Sequence, residues 1–309
     1  MLTRDNLKGS WAGLPPAWTP NDTFDEKIYR EDVRRCCDVG MPGIYTGGTT
    51  GEFYAMEFDE FQAITRATIE ECNASDVPVM IGCTSTYTLG VQRRVEVAAD
   101  LGADGVQVAL PYWMEIQEDQ IIPFFKEIGK SLGSMALSVY ETGRAKVTLT
   151  LEQHQAIKDA VPNYLMLKAN AGTLGCTPEG CQALSKFVNV FVGEHIWDEL
   201  GPKGAIGSCS AMIYYNPKIF LAFGEQLQNK DWGALRKSCA KIKELLAFLV
   251  KHCDAKGFTD TAYDRLGGVS SGFLKTSLKS RGPYKAATEV DVRELRQWYQ
   301  AHFPEMLEI

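Results

Sequence analysis

Short apolar runs recur along this chain with stretches of helical periodicity between them, and that alternation constrains the fold more than any other feature. Eight runs read as strands, at residues 11–18, 43–47, 78–83, 105–110, 135–140, 164–168, 188–193 and 205–208. Amphipathic segments lie between them, including 25–39, 59–72 and 151–160. In the second of these, Phe61, Ile64, Ala67 and Ile69 fall at roughly the spacing of one helix face. Thr150 stands where the third would take its N-cap. Only the gap before the eighth strand is too short for a full helix. Strands that alternate with helices are parallel, because each helix carries the chain back across the sheet. Eight of them predict a closed (β/α)8 TIM barrel. An open, doubly wound sheet is the competing arrangement, but no Gly-x-Gly-x-x-Gly follows the first strand. Beyond about Pro217 the pattern changes to helices without strands, at 219–227, 232–252, 259–267, 272–278 and 289–303. The expected organisation is a barrel over residues 1–230 and a C-terminal helical extension over residues 231–309.

The balance of 32 basic against 39 acidic residues gives a net charge of −7, and no basic block stands out. Nucleic acid is therefore not an expected partner. The first residues carry no apolar signal segment, and no apolar run approaches the ~18 residues of a membrane span. Nine scattered cysteines suit a reducing compartment better than a disulfide framework. Cys176 and Cys181 lack the spacing of a common zinc knuckle, and the four histidines form no His-x-x-x-His pair. The expectation is a cytoplasmic protein with no metal and no organic cofactor.

In a (β/α)8 barrel the chemistry sits at the carboxyl ends of the strands. Lys168 closes the sixth run, Tyr164-Leu165-Met166-Leu167-Lys168. A lysine held in a dry site loses its proton more easily and attacks carbonyls; a lysine that snorkels out of a strand end is the plainer reading. Tyr140 ends the fifth strand, so it would share a barrel mouth with Lys168. The second strand runs into Thr46-Gly47-Gly48-Thr49-Thr50-Gly51-Glu52. Its glycines let backbone N–H groups approach an anion, and Thr49 and Thr50 add hydroxyl donors. A tight turn without a ligand explains the same glycines. Arg144 suits a carboxylate or a solvated surface. The eighth strand ends at Gly207-Ser208.

Together these residues resemble the dihydrodipicolinate synthase and N-acetylneuraminate lyase family, barrel enzymes that join a lysine to a 2-keto acid as a Schiff base. Thr19-Pro20, Gly48-Thr49-Thr50-Gly51-Glu52, Val139-Tyr140, Leu167-Lys168 and Lys203-Gly204-Ala205-Ile206 carry the resemblance. It implies that Lys168 attacks C2 of the substrate and that Tyr140 shuttles protons. It implies that Gly48, Thr49 and Thr50 hold the carboxylate, with Arg144, Gly207 and Ser208 as further substrate contacts. It also implies a homotetramer. Burial is expected to lower the pKa of Lys168. The sequence departs from the synthases at Leu110-Pro111-Tyr112-Trp113, where Trp113 replaces the second tyrosine of a relay pair. It departs again at Glu141-Thr142-Gly143, one residue shorter before Arg144. Both departures point away from lysine biosynthesis.

Two branches remain. Dehydration of a 2-keto-3-deoxy sugar acid needs polar groups such as Glu141, Thr142, Glu194, Ser208 and Ser210, and is the leading expectation. An aldolase or hydratase-aldolase that releases or adds pyruvate needs an apolar wall, which Trp113, Trp197 and Phe53 could line. A non-catalytic binder of 2-keto acids is the reading from another class. It would tolerate loss of Lys168, whereas an enzyme would not.

Overall fold

The computed structural model describes every residue from Met1 to Ile309. Eight parallel strands pair in sequence order and close into a barrel. They are β1 Gly9–Gly13, β2 Ile44–Thr46, β3 Val79–Gly82, β4 Gly105–Val108, β5 Ala136–Glu141, β6 Tyr164–Ala169, β7 Asn189–Phe191 and β8 Ala205–Ser210. Closure comes from β8 against β1, with Ser208 opposite Ser10 and Cys209 opposite Trp11. The outer helices are α1 Glu26–Asp38, α2 Phe58–Ala74, α3 Thr88–Leu101, α4 Glu118–Gly129, α5 Leu151–Ala160, α6 Pro178–Leu184, the single turn α7 Trp197–Leu200, and α8 Pro217–Gln228. Thr150 caps α5 as expected: its hydroxyl accepts from Gln153 N while the Gln153 side chain accepts from Thr150 N. Three more helices follow, α9 Trp232–Lys256, α10 Asp260–Ser271 and α11 Glu289–His302. No helix is long and apolar enough to cross a membrane.

Two expected elements differ. The first strand stops at Gly13 rather than reaching Trp18, because Pro15 and Pro16 have no N–H to give to a ladder. No helix forms over 272–278. Gly272, at φ 91°, ends α10, and the N–H groups of Lys275 and Thr276 go to the Asp32 carboxylate at 2.6 and 2.9 Å instead of to a helix.

The apolar side chains divide by strand alternation. One set fills the space between barrel and helices, and a smaller set, including Trp11, Tyr45, Met80, Met166 and Phe191, fills the barrel itself. The amino-terminal segment closes the bottom. Asn189 donates to the carbonyls of Arg4 and Leu7 at 2.7 Å each, and Arg4 donates to the carbonyls of Ser185, Lys186 and Val188. Only the carboxyl ends of the strands stay open.

α10 is tied to that open end. Arg265 and Glu52 are both fully buried and pair at 2.9 Å. The indole N–H of Trp18 also donates to Glu52, and Arg265 donates to Thr276 Oγ1 at 3.2 Å. Removing one member of such a pair strands a charge in the core. The Arg265→Leu variant is expected to lose about 3–5 kcal/mol of stability, read from urea unfolding, and adding Glu52→Gln should restore part of it. A loss below ~1 kcal/mol, the range of exposed pairs, would contradict this role.

Candidate active site

β5 and β6 place Tyr140 directly beside Lys168 in register, so both side chains enter the barrel mouth. Lys168 Nζ lies 4.1 Å from the centroid of the Tyr140 ring and 5.5 Å from that of Tyr45. The Tyr140 hydroxyl accepts from Asn170 Nδ2 at 3.1 Å and lies near the Thr49 side chain, which helps to lower its pKa. Burial pushes the Tyr140 phenol up, but Lys168, Thr49, Arg144 and Asn170 outweigh it, and its pKa falls below the usual value. Lys168 moves the other way. Burial pulls it down as expected, yet the facing Tyr140, with Cys209, Asp264 and Asp260, leaves it raised. The expected lowering is therefore reversed in the free protein, because the opposing groups carry more weight than the lost hydration.

A cleft of about 250 Å³ opens over Tyr140, which lines it while Lys168 lies outside the lining; the volume is at the small end for a ligand pocket. Gly48 and Thr49 form one wall, and Thr142 and Arg144 lie on another. Gly48 allows the loop to cross the barrel rim: a Cβ there would stand 2.1 Å from the Tyr45 hydroxyl. The rest is largely apolar and aromatic, from Phe53, Tyr54, Leu110, Tyr112 and Tyr284. Phe53 meets Tyr112 edge-to-face at 5.8 Å, and Tyr54 meets Tyr284 at 5.0 Å. Arg144 is 2.9 Å from the Asp260 carboxylate, which α10 brings to the rim.

The structure therefore joins Lys168, Tyr140, Gly48, Thr49 and Arg144. Thr50 sits beside them, but its hydroxyl is turned to Asp264 at 2.5 Å. Three expected contacts fall elsewhere. Trp113 is 76% exposed and does not line the cleft; the chain turns after Leu110, so Tyr112 faces inward instead. Ser208 points out of the barrel toward Ser10 and Glu194, since alternate residues of a strand face opposite sides. Gly207 is buried against Phe191, with its carbonyl taken by Val192 N and the Trp197 indole. On β8 it is Cys209 that turns inward, within 3.7 Å of Gln107 Nε2.

Most of the polar groups expected to meet a sugar are also engaged behind the wall. Glu141 accepts from Leu149 N and pairs with His154 at 3.1 Å. Glu194 is buried against Ser208 and Ser210. Of the residues expected to line an apolar wall, Trp197 is also out of the cleft, fully buried on Phe223 at 4.9 Å. The sequence reading missed Asn170, Tyr54, Tyr284, Asp260 and Asp264. Asn170 was within reach, two residues past the lysine. The two aspartates lie on a helix distant in sequence and carried no local signal. His252, Asp291 and Glu294 cluster with ligand atoms within 4.8 Å of one another, but Lys256 already pairs with both carboxylates there. That cluster clamps α9 to α11.

Comparison with known proteins identifies the family. The Dihydrodipicolinate synthetase family profile matches residues 6–279. The chain is 29% identical over 152 residues to a trans-O-hydroxybenzylidenepyruvate hydratase-aldolase of Sphingobium xenophagum, covering 47% of this chain and 46% of that protein. It is 28% identical over 225 residues to the 4-hydroxy-tetrahydrodipicolinate synthase of Brucella abortus biovar 1 (strain 9-941), covering 72% and 76%. The matched stretch thus spans under half of the first relative and about three quarters of the second. The crystal structure of YagE, a prophage protein from E. coli K12 in complex with pyruvate, shares the fold at a TM-score of 0.85 with 18% identity, covering 96% of this chain and 98% of that one. The chain belongs to the dihydrodipicolinate synthetase family and, with it, to the aldolase-type lyases.

Proposed function

We propose that the protein is a Schiff-base aldolase of the hydratase-aldolase kind, releasing pyruvate from a 2-keto acid that carries an aromatic or apolar group beyond C4. The observation that carries this reading is the cleft wall: opposite Tyr140 it is built from Phe53, Tyr54, Leu110, Tyr112 and Tyr284. Such a wall presents aromatic faces that suit a flat apolar group. Dehydration of a 2-keto-3-deoxy sugar acid has less support. Of the polar residues it calls on, Thr142 alone lines the cleft.

The chemistry follows from the pair at the base. Lys168 raised and Tyr140 lowered favour the ammonium–phenolate form of the pair at rest; when the ammonium gives its proton to the Tyr140 phenolate, net charge is unchanged and the amine is left neutral and nucleophilic. Lys168 Nζ attacks C2. Tyr140 returns the proton to the carbinolamine hydroxyl, water leaves, and an iminium forms. Water adds across an unsaturated C3–C4 bond, placing a hydroxyl on C4. Cleavage of C3–C4 then sends the bonding electrons to the iminium as an enamine, while the C4 hydroxyl loses its proton and departs as an aldehyde. Protonation of the enamine at C3 and hydrolysis release pyruvate and free Lys168. The turn at Gly48, Thr49 and Thr50 would receive the substrate carboxylate.

Borohydride reduction with pyruvate should leave a covalent adduct on Lys168, located by peptide mass mapping. Benzylidene-pyruvates should yield an aromatic aldehyde. Absence of the adduct from folded protein would refute the mechanism, whereas a Lys168→Ala variant that kept pyruvate affinity would favour a binding protein. Aldehyde-free turnover of a 2-keto-3-deoxy sugar acid would restore the dehydratase reading.

A second expectation concerns the resting charges. Lys168 lowers the Tyr140 pKa, so Lys168→Met should raise it above the ordinary phenol value as burial takes over. Phenolate absorbance against pH, with Tyr140→Phe as the blank, reads the shift. The family resemblance also supports a homotetramer in the cytoplasm, and light scattering should give four times the chain mass.

A further inference from the structure

Thr50 is one of the residues that would receive the substrate carboxylate, yet its hydroxyl is already engaged. Thr50 Oγ1 lies 2.5 Å from Asp264 Oδ2 on α10. A hydroxyl has one proton to give. An ionised Asp264 can only accept, so it takes that proton and leaves lone pairs facing the ligand. A protonated Asp264 reverses the bond. Its own O–H donates to Thr50 Oγ1, and the Thr50 proton turns toward an incoming carboxylate.

Asp264 is suited to such a change. It is only 6% exposed, and burial, the largest influence on it, pushes its carboxyl up to about 7 against the Thr50 hydrogen bond. The groups around it are Lys168 from β6, Asp260, Tyr263 and Arg265 on its own helix, Tyr214 and Tyr215 after β8, and Cys253 from α9. Arg265 is committed to Glu52.

We propose that Asp264 is a positioning residue for the 2-keto acid: its protonation turns the Thr50 hydroxyl from the protein to the substrate carboxylate, so that substrate binding takes up a proton. This rests on the reading of Thr49 and Thr50 as the carboxylate site.

Pyruvate titration calorimetry at pH 8, run in two buffers of different ionisation enthalpy, measures that uptake. Wild-type protein is expected to take up close to one proton more per site than Asp264→Asn, whose amide N–H donates permanently to Thr50. The wild-type KM should rise about tenfold per pH unit above ~7, as the protonated fraction falls. In Asp264→Asn this rise should vanish from KM, and Thr50→Ser should keep it. Thr50→Val, which has no hydroxyl to turn, should bind weakly and without the linkage. Equal proton uptake in wild type and Asp264→Asn, or a KM rise that survives in Asp264→Asn or Thr50→Val, overturns the proposal. Borohydride trapping on the same samples separates the two levels. An adduct on Lys168 without proton linkage sinks the proposal and leaves the aldolase reading intact; no adduct and no binding sink both.

Discussion

A buried carboxylate–guanidinium pair, Glu52 with Arg265, determines how the two ends of this chain meet. Neither side chain reaches solvent. Ion pairs of this kind cost desolvation and are weak evidence for stability, but they define one arrangement, because any slip leaves a charge unpaired in a dry core. The geometry here is demanding. Glu52 sits at φ 49°, a left-handed conformation that is uncommon outside glycine. That backbone turn aims its carboxylate at both Trp18 and Arg265. The loop after β2 and helix α10, 213 residues apart in the chain, are thereby held as one body.

The active-site face depends on that anchor. Once Arg265 is fixed, α10 presents Asp260, Thr261 and Asp264 on one side of the barrel mouth. Thr261 donates to the Thr49 carbonyl at 3.0 Å and is paired with the Tyr54 hydroxyl at 3.1 Å. The segment that follows α10 continues the hold. Asp32 receives the N–H groups of Lys275 and Thr276, Ser277 donates to the Trp18 carbonyl, and the Arg281 guanidinium lies 3.8 Å over the Trp18 ring. The glycine-threonine loop is thus braced from behind by segments beyond the barrel, which leaves its ligand-facing side free of the need to hold itself together.

What the sequence made legible follows from the range of each physical signal. Strand alternation with helices is a local pattern repeated eight times, and it led to the barrel. Lys168 and Tyr140 were legible because a charged or phenolic group at the end of an apolar run is locally anomalous. Facing was harder. On β8 a difference of one residue separates Ser208, which faces the helices, from Cys209, which faces the barrel, and no local signal says which. Trp113 and Tyr112 differ in the same way after the last ordered residue of β4. The apolar residues of 272–278 read as a helix face, but the partner that decided their conformation, Asp32, lies far away in sequence. Asp260 and Asp264, four apart on α10, carry no local signal of a role, because only the fold turns them toward the barrel mouth.

Charge is distributed unevenly within the cleft, and this bears on what it selects. At the base, Lys168 is a cation with Tyr140, Cys209 and Asp264 around it. At the rim, Arg144 is matched by Asp260 at 2.9 Å. A guanidinium so paired offers an incoming carboxylate less than a free one would, because Asp260 already offsets part of its charge. A substrate with a carboxylate at each end would find no unopposed cation at the rim and its stronger partner at the base. One with a single carboxylate and an uncharged, flat far end meets a cation beside its reacting carbon and aromatic surface beyond it. The arrangement of charges and the composition of the wall thus both favour the substrate proposed above, by two independent interactions.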